Sequence, residues 1–312
     1  MTDYARLIDG EMWAFIERTN AQYPPDAASL DVAGQRRVYD AMCRAFHAGR
    51  PEGVAAVDLV LAQGGQRVPV RRYAPGAPGA AKVVYLHGGG FVLGGLESHD
   101  DVCAELCAAT GFEVVSADYR LAPEAPHPAA FLDARAVFAS VAAEGAPVVL
   151  AGDSAGGNLA AAVAHAARGA GPRPAGQVLV YPGLGAIGDT GSYAVHAEAP
   201  MLARADLEFY RAVRGGGPGA ERDPSFAPLS DADFSGLPPT VAVAAECDPL
   251  ADDCAAYAGR IRAAGGRAHA WTEPGLVHGF LRARHMSGRA RWAFWRICQA
   301  VEALGRGEWP YE

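Results

Sequence analysis

Ser154 sits between two glycines, in Gly152-Asp153-Ser154-Ala155-Gly156, a spacing that suits a nucleophilic serine. The pentapeptide matches G-x-S-x-G. It follows an apolar run, Val148-Val149-Leu150-Ala151, and precedes a helix-compatible one, Asn158-Leu159-Ala160-Ala161-Ala162-Val163. A strand that turns this tightly into a helix leaves no room for flanking side chains, so glycine stands at both ends. The hydroxyl then projects at a helix N-terminus, where unpaired N–H groups favour developing negative charge. The chemistry implied is attack on an acyl carbon. Upstream, His87-Gly88-Gly89-Gly90 offers backbone N–H groups bare enough for a substrate oxygen to approach. That oxygen becomes an anion in a tetrahedral intermediate, and losing one donor to it typically costs about 2.7–4 kcal/mol of barrier. Gly89, Gly90 and Ala155 are the candidate oxyanion donors, and Gly88 stays open.

Such a serine needs a base, and the base needs an acid to orient it. In the α/β-hydrolase arrangement the chain order is serine, acid, histidine. Histidines after Ser154 stand at 165, 196, 269, 278 and 285. His165 falls inside the helix after the serine, His196 in an insertion and His269 within a strand. His278 lies in Pro274-Gly275-Leu276-Val277-His278-Gly279-Phe280, read as a loop that its glycines allow to turn back towards the sheet. The acid should follow the strand at 240–245, which offers Glu246, Asp248, Asp252 and Asp253. Asp248 precedes Pro249 and a helix, at the carboxyl end of the strand, where open α/β sheets carry functional loops. Asp252 and Asp253 fall in the first helical turn, where acids suit the dipole. Asp248 is therefore the first choice and Asp252 the second. Asp248 would hold the His278 tautomer, and His278 would take the Ser154 proton and return it to the leaving alcohol.

These residues need a scaffold, and the hydrophobic pattern supplies one. Residues 1 to about 50 read as two helices, with Ile8, Met12 and Ile16 on one face and Val38, Met42 and Phe46 on another, parted by Tyr23-Pro24-Pro25-Asp26. Val57–Leu61 and Val68–Tyr73 read as an antiparallel pair of strands. Strands at 82–87, 113–117, 147–152, 177–181, 240–245 and 267–272 then alternate with helices at 98–110, 128–143, 154–168, 250–264 and 287–304. That alternation predicts an α/β fold with a mostly parallel sheet and crossover helices. Residues 183–239 interrupt it, with one helix at 202–213, and an insertion of this kind usually carries binding elements.

The chain resembles the hormone-sensitive lipase family of bacterial esterases. The resemblance is carried by His87-Gly88-Gly89-Gly90-Phe91, Tyr119-Arg120-Leu121-Ala122-Pro123-Glu124, Gly152-Asp153-Ser154-Ala155-Gly156-Gly157, Asp248-Pro249-Leu250 and His278-Gly279-Phe280, in family order over residues 80–285. It implies an α/β-hydrolase fold with a helical cap made of residues 1–50 and an insertion near 190–225, on a catalytic domain of residues 51–312. It implies a serine carboxylesterase acting on short- to medium-chain esters, with no metal or cofactor and often as a homodimer. It supports Asp248 as the acid and Gly89, Gly90 and Ala155 as the oxyanion donors. It also implies that Arg120 and Glu124 brace loops through ion pairs. Phe91, beside the glycine loop, is the expected substrate-pocket aromatic; Trp13, Tyr193, Phe209 and Tyr210 read more simply as core.

Composition narrows the rivals. A formal net charge of −8 and no run of basic residues argue against nucleic acid and anionic membrane surfaces. No apolar run of about 18 residues is present to span a bilayer, and the N-terminus does not read as a signal peptide. The six scattered cysteines read as buried thiols of a cytoplasmic protein. Gly183-Leu184-Gly185-Ala186-Ile187-Gly188 matches the G-x-G-x-x-G of NAD-binding oxidoreductases, but turn-like residues follow it where a helix should open. Two further rivals share the hydrolase fold: an arylformamidase-like amide hydrolase and a non-catalytic ligand receptor. The receptors that resemble this family lack the histidine present here as His278.

Overall fold

The computed structural model describes residues 2–25, 27, 30–77, 79–169 and 171–311. Asp26, the last residue of the expected break between the N-terminal helices, lies outside the described residues. Among the described residues eight strands form one sheet: β1 Ala55–Gln63, β2 Gln66–Ala74, β3 Lys82–Leu86, β4 Glu113–Ala117, β5 Val148–Asp153, β6 Gly176–Val180, β7 Thr240–Cys247 and β8 Ala268–Val277. Their spatial order is β1-β2-β4-β3-β5-β6-β7-β8, and β2 alone runs against the rest. The central strands are short, rich in valine and buried throughout, as parallel strands covered on both faces must be.

Alternation along each strand divides the core. Val83, Tyr85, Val149 and Val178 point to the face covered by α4 Asp100–Thr110 and α10 Gly288–Gly305. Val84, Leu86, Leu150 and Leu179 point to the face covered by α5 Ala129–Ala142, α6 Ala155–Ala166 and α9 Ala251–Ala263. The N-terminal helices α2 Gly10–Asn20 and α3 Val32–Phe46 join the first cluster through Met12, Phe15, Ile16, Met42 and Phe46, and α1 Tyr4–Leu7 packs Tyr4 and Leu7 against it. Met12 and Phe15 are fully buried, and each such side chain is worth about 1.5–3 kcal/mol relative to exposure. The second helix begins later than the spacing of Ile8 predicts, because the Asp9 carboxylate accepts from Met12 N at 2.9 Å and caps it. Ile8 is buried just outside the helix.

The insertion between β6 and β7 carries α7 Ser192–Val195 and α8 Arg204–Arg214. One expectation is corrected at the other end of the sheet. Residues 274–277 are not loop: β8 continues to Val277, with a register irregularity opposite Ala245 and Cys247, and His278 follows the strand directly. Strand order reverses beside β3, which has β4 on one side and β5 on the other. Leu86 is paired with Gly152, so the chain leaves β3 and β5 side by side at the carboxyl edge. Open α/β sheets bind ligands at such a point.

Candidate active site

Ser154 has φ 53° and ψ −118°, outside the region favoured by side-chain-bearing residues. A conformation of that kind costs about 1–3 kcal/mol and persists only where its surroundings enforce it. The neighbouring glycines are what permit it. A Cβ on Gly156 would lie 1.8 Å from the Leu86 carbonyl oxygen, and one on Gly152 would lie 2.6 Å from the same atom. Both clashes are with the backbone of β3, which cannot move without breaking the sheet. Gly156→Ala is therefore expected to destabilise the protein by about 3 kcal/mol or more. A denaturant midpoint equal to that of the unmodified chain would show that the turn and β3 do not meet this closely.

Three distant side chains meet above this turn. His278 Nε2 lies 2.9 Å from Ser154 Oγ, and His278 Nδ1 lies 2.7 Å from Asp248 Oδ2. Asp248 is fully buried, and its other oxygen accepts from Leu250 N at 2.9 Å. Acceptance by Asp248 at Nδ1 leaves Nε2 bare to receive the serine proton. Ala155 opens α6, so its N–H has no intrahelical acceptor. Among the described residues the N–H groups of Gly89 and Gly90 have no protein acceptor either. Gly88 is different: its N–H donates to Asp153 Oδ1 at 3.1 Å and so is withdrawn from the oxyanion candidates.

A family profile described as the alpha/beta hydrolase fold matches residues 83–282. The carboxylic ester hydrolase LipN of Mycobacterium tuberculosis is 34% identical over 277 residues, covering 84% of this chain and 73% of LipN. This chain belongs to the hormone-sensitive lipase family of bacterial α/β-hydrolase esterases. The ethyl acetate hydrolase of Pseudomonas putida is 32% identical over 83% of this chain and 85% of its own length. An esterase of Pyrobaculum calidifontis superposes with a TM-score of 0.86 at 32% identity, covering 95% of this chain and 99% of the other. The chain is thus an ester hydrolase.

Beyond its motifs, the esterase depends on residues whose types do not announce them. Asp153 occupies a variable position of the pentapeptide, yet it ties the elbow to the glycine loop. Its carboxylate accepts from Tyr85 Oη at 2.8 Å and from Gly88 N, with His99 Nε2 3.3 Å away. Burial alone would raise this carboxyl, but His99, Tyr85 and the field of Arg282 hold it well below the usual range. Arg214, at the end of α8, has its guanidinium 3.5 Å from the Phe91 ring centre and 4.0 Å from that of Phe226. It donates to Phe226 O at 3.0 Å and to Asn158 Oδ1 at 3.3 Å. The insertion is thereby fastened to the helix that follows the serine. Burial pushes the Arg214 guanidinium down to about 9.

The other candidate residues are engaged elsewhere. Glu246 accepts from Gly275 N, and Asp252 from Ser192 N, each at 2.7 Å. Asp253 accepts from Leu184 N, Gly185 N and Tyr193 Oη. The G-x-G-x-x-G segment is thus a loop wrapped on a carboxylate, and no helix opens from it. His165 is buried in α6 with Nδ1 2.7 Å from Asp231, His196 lies 3.1 Å from Tyr4 Oη, and His269 stacks on Tyr311. Arg120 grips Asp133 through both oxygens and Glu124 pairs with Arg36, as the brace reading expects. All six cysteines are free and buried. No helix among the described residues is long and apolar enough to cross a membrane.

Asp253 carries a pH prediction. Burial pushes its carboxyl up to about 6 despite three donors, whereas an unfolded aspartate ionises near 4. Between those values the folded chain binds more proton than the unfolded one. Its stability therefore falls as pH rises through that window, and the contribution is gone above it. Asp253→Asn keeps a carbonyl acceptor without the charge. Relative to the unmodified chain it is expected to gain up to about 3 kcal/mol between pH 4 and pH 8. Denaturant titrations of both proteins across that range decide it; a pH-independent difference would refute the assignment.

A cavity of about 520 Å³ opens over Ser154 and His278, within the ~300–1,000 Å³ usual for small-molecule sites. Phe91 lines it, as do Tyr193 and Tyr210, read as core from the sequence; Trp13 and Phe209 do not.

Proposed function

We propose that Ser154, His278 and Asp248 form the catalytic triad of a carboxylesterase acting on short- to medium-chain esters through an acyl-serine. The observation that carries this reading is the unbroken hydrogen-bonded path from Asp248 through His278 to Ser154, beside amides free to donate to an oxyanion. His278 Nε2 takes the Ser154 proton as Oγ attacks the ester carbonyl. The N–H groups of Gly89, Gly90 and Ala155 receive the negative oxygen, and Asp248 stabilises the imidazolium. Collapse expels the alcohol, protonated by His278, and water attacks the acyl-serine by the same route. Helices α1–α3 and the segment 190–225 act as a cap that closes the cleft from above. The free buried thiols fit a reducing, cytoplasmic setting.

Chain-length preference follows from a cavity that must hold both halves of the ester. Initial rates on nitrophenyl esters from acetate to palmitate, run beside Ser154→Ala protein, are expected to peak between butyrate and octanoate. A maximum at palmitate would overturn the short- to medium-chain assignment.

A further inference from the structure

The cleft lining mixes apolar and charged side chains. The insertion contributes Ile187, Leu202 and Leu207 beside Arg211 and Arg214, and Leu250 stands just before α9. The cleft is also lined by Asn20 of α2, Tyr23 of the segment after it, Tyr39 and Met42 of α3, and Arg282 of the turn after His278. Arg282 stands four residues beyond His278, in the 3-10 turn Phe280–His285. It donates Nη1 to Ser98 O at 3.0 Å and Nη2 to Tyr39 Oη at 2.9 Å, with its Cζ 5.3 Å from the Tyr39 ring centre. Both acceptors are neutral. Among the described residues Arg282 makes no ion pair within 4.0 Å.

The other two arginines of the cleft are occupied. Arg211 pairs with Glu221 at 3.1 Å, and Arg214 is held between two rings. Asp153 attracts Arg282 through space, but its oxygens are taken by Tyr85, Gly88 and His99. Tyr39 Oη accepts from Arg282 at 2.9 Å, and its own proton faces the Cys43 sulfur one helical turn on. A guanidinium has five N–H donors in a planar fork, and a sequestered cation is costly until an anion meets it. A fork with spare donors, next to a phenol whose proton meets only the weakly accepting sulfur of Cys43, matches a carboxylate.

We propose that the ester this enzyme is built to cleave carries a carboxylate, bound by the Arg282 guanidinium and the Tyr39 hydroxyl on the α2–α3 wall of the cleft. The inference rests on the esterase reading of Ser154 and adds the substrate class. The carboxylate sits on whichever half of the ester fills that wall, so two matched pairs test it. One pair is 4-nitrophenyl hydrogen adipate against 4-nitrophenyl hexanoate. The other is 3-carboxypropyl butyrate against pentyl butyrate, followed by pH-stat.

In one pair the acid-bearing ester is expected to have a kcat/KM about tenfold or more above its neutral partner. Arg282→Gln is expected to erase that ratio, mainly through KM, and Tyr39→Phe to lower it about fivefold. Adipate is expected to raise the Tm of Ser154→Ala protein and to lose that effect when Arg282→Gln is added. Neutral esters preferred in both pairs, or a ratio that Arg282→Gln leaves unmoved, would overturn the carboxylate site while leaving the esterase reading intact. No turnover of any ester, with adipate still stabilising Ser154→Ala protein through Arg282, would do the reverse.

Discussion

Ser154→Ala protein is expected to keep its fold and to lose ester hydrolysis by roughly a million-fold in kcat. The change removes one oxygen, which lies 2.9 Å from His278 Nε2. Alanine can occupy the same turn, because the φ of 53° is imposed by β3, Gly152 and Gly156 rather than by the serine hydroxyl. The Tm should therefore move little while the rate collapses. His278→Ala is expected to lose about as much, and the double variant no more than either single, because the two groups act as one unit. Single-turnover mixing with a nitrophenyl ester checks the same point independently: a burst of nitrophenol from the unmodified enzyme and none from the variant. Full activity in a homogeneous Ser154→Ala preparation would remove the nucleophile from the mechanism.

Asp248→Asn is expected to lower kcat about ten-thousand-fold with little change in KM. Asp248 is fully buried and divides its oxygens between two donors, Leu250 N and His278 Nδ1. The asparagine carbonyl can replace only one of them. If it stays on Leu250 N, its NH₂ faces His278, Nδ1 must then accept, and the imidazole proton moves to Nε2. That tautomer cannot take the serine proton. Volume and packing barely change, so circular dichroism and Tm should stay near those of the unmodified chain. Asp252→Asn, at the second-choice acid, touches Ser192 N and no catalytic group, and should leave kcat within about a factor of three. Reversed outcomes for these two variants would move the acid to residue 252.

The alternation of strand and helix is legible in the chain because it is local. Central strands such as Lys82–Leu86 and Gly176–Val180 appear as short, valine-rich apolar runs. Boundaries are less so. Ile8 belongs to the apolar face of α2 but not to the helix, since the Asp9 cap decides where the helix starts. The strand that reaches Val277 passes through Pro274 and Gly275, residues that read as turn. Its pairing with β7 overrides that local preference.

The elbow, the glycine loop and the order serine–acid–histidine were determined by the chain itself. Each expresses a backbone rule a few residues long: a turn too tight for a Cβ, an amide left bare, a carboxylate at a strand end. Only the tertiary structure shows that Asp248, rather than its three acidic neighbours, meets His278, since all four carboxylates sit within eight residues and each reaches a different partner. It also decided that Gly88 spends its N–H on Asp153, and that Arg282 faces the cleft. Those outcomes depend on contacts between segments 30 to 243 residues apart, and no spacing along the chain encodes a distance across the fold.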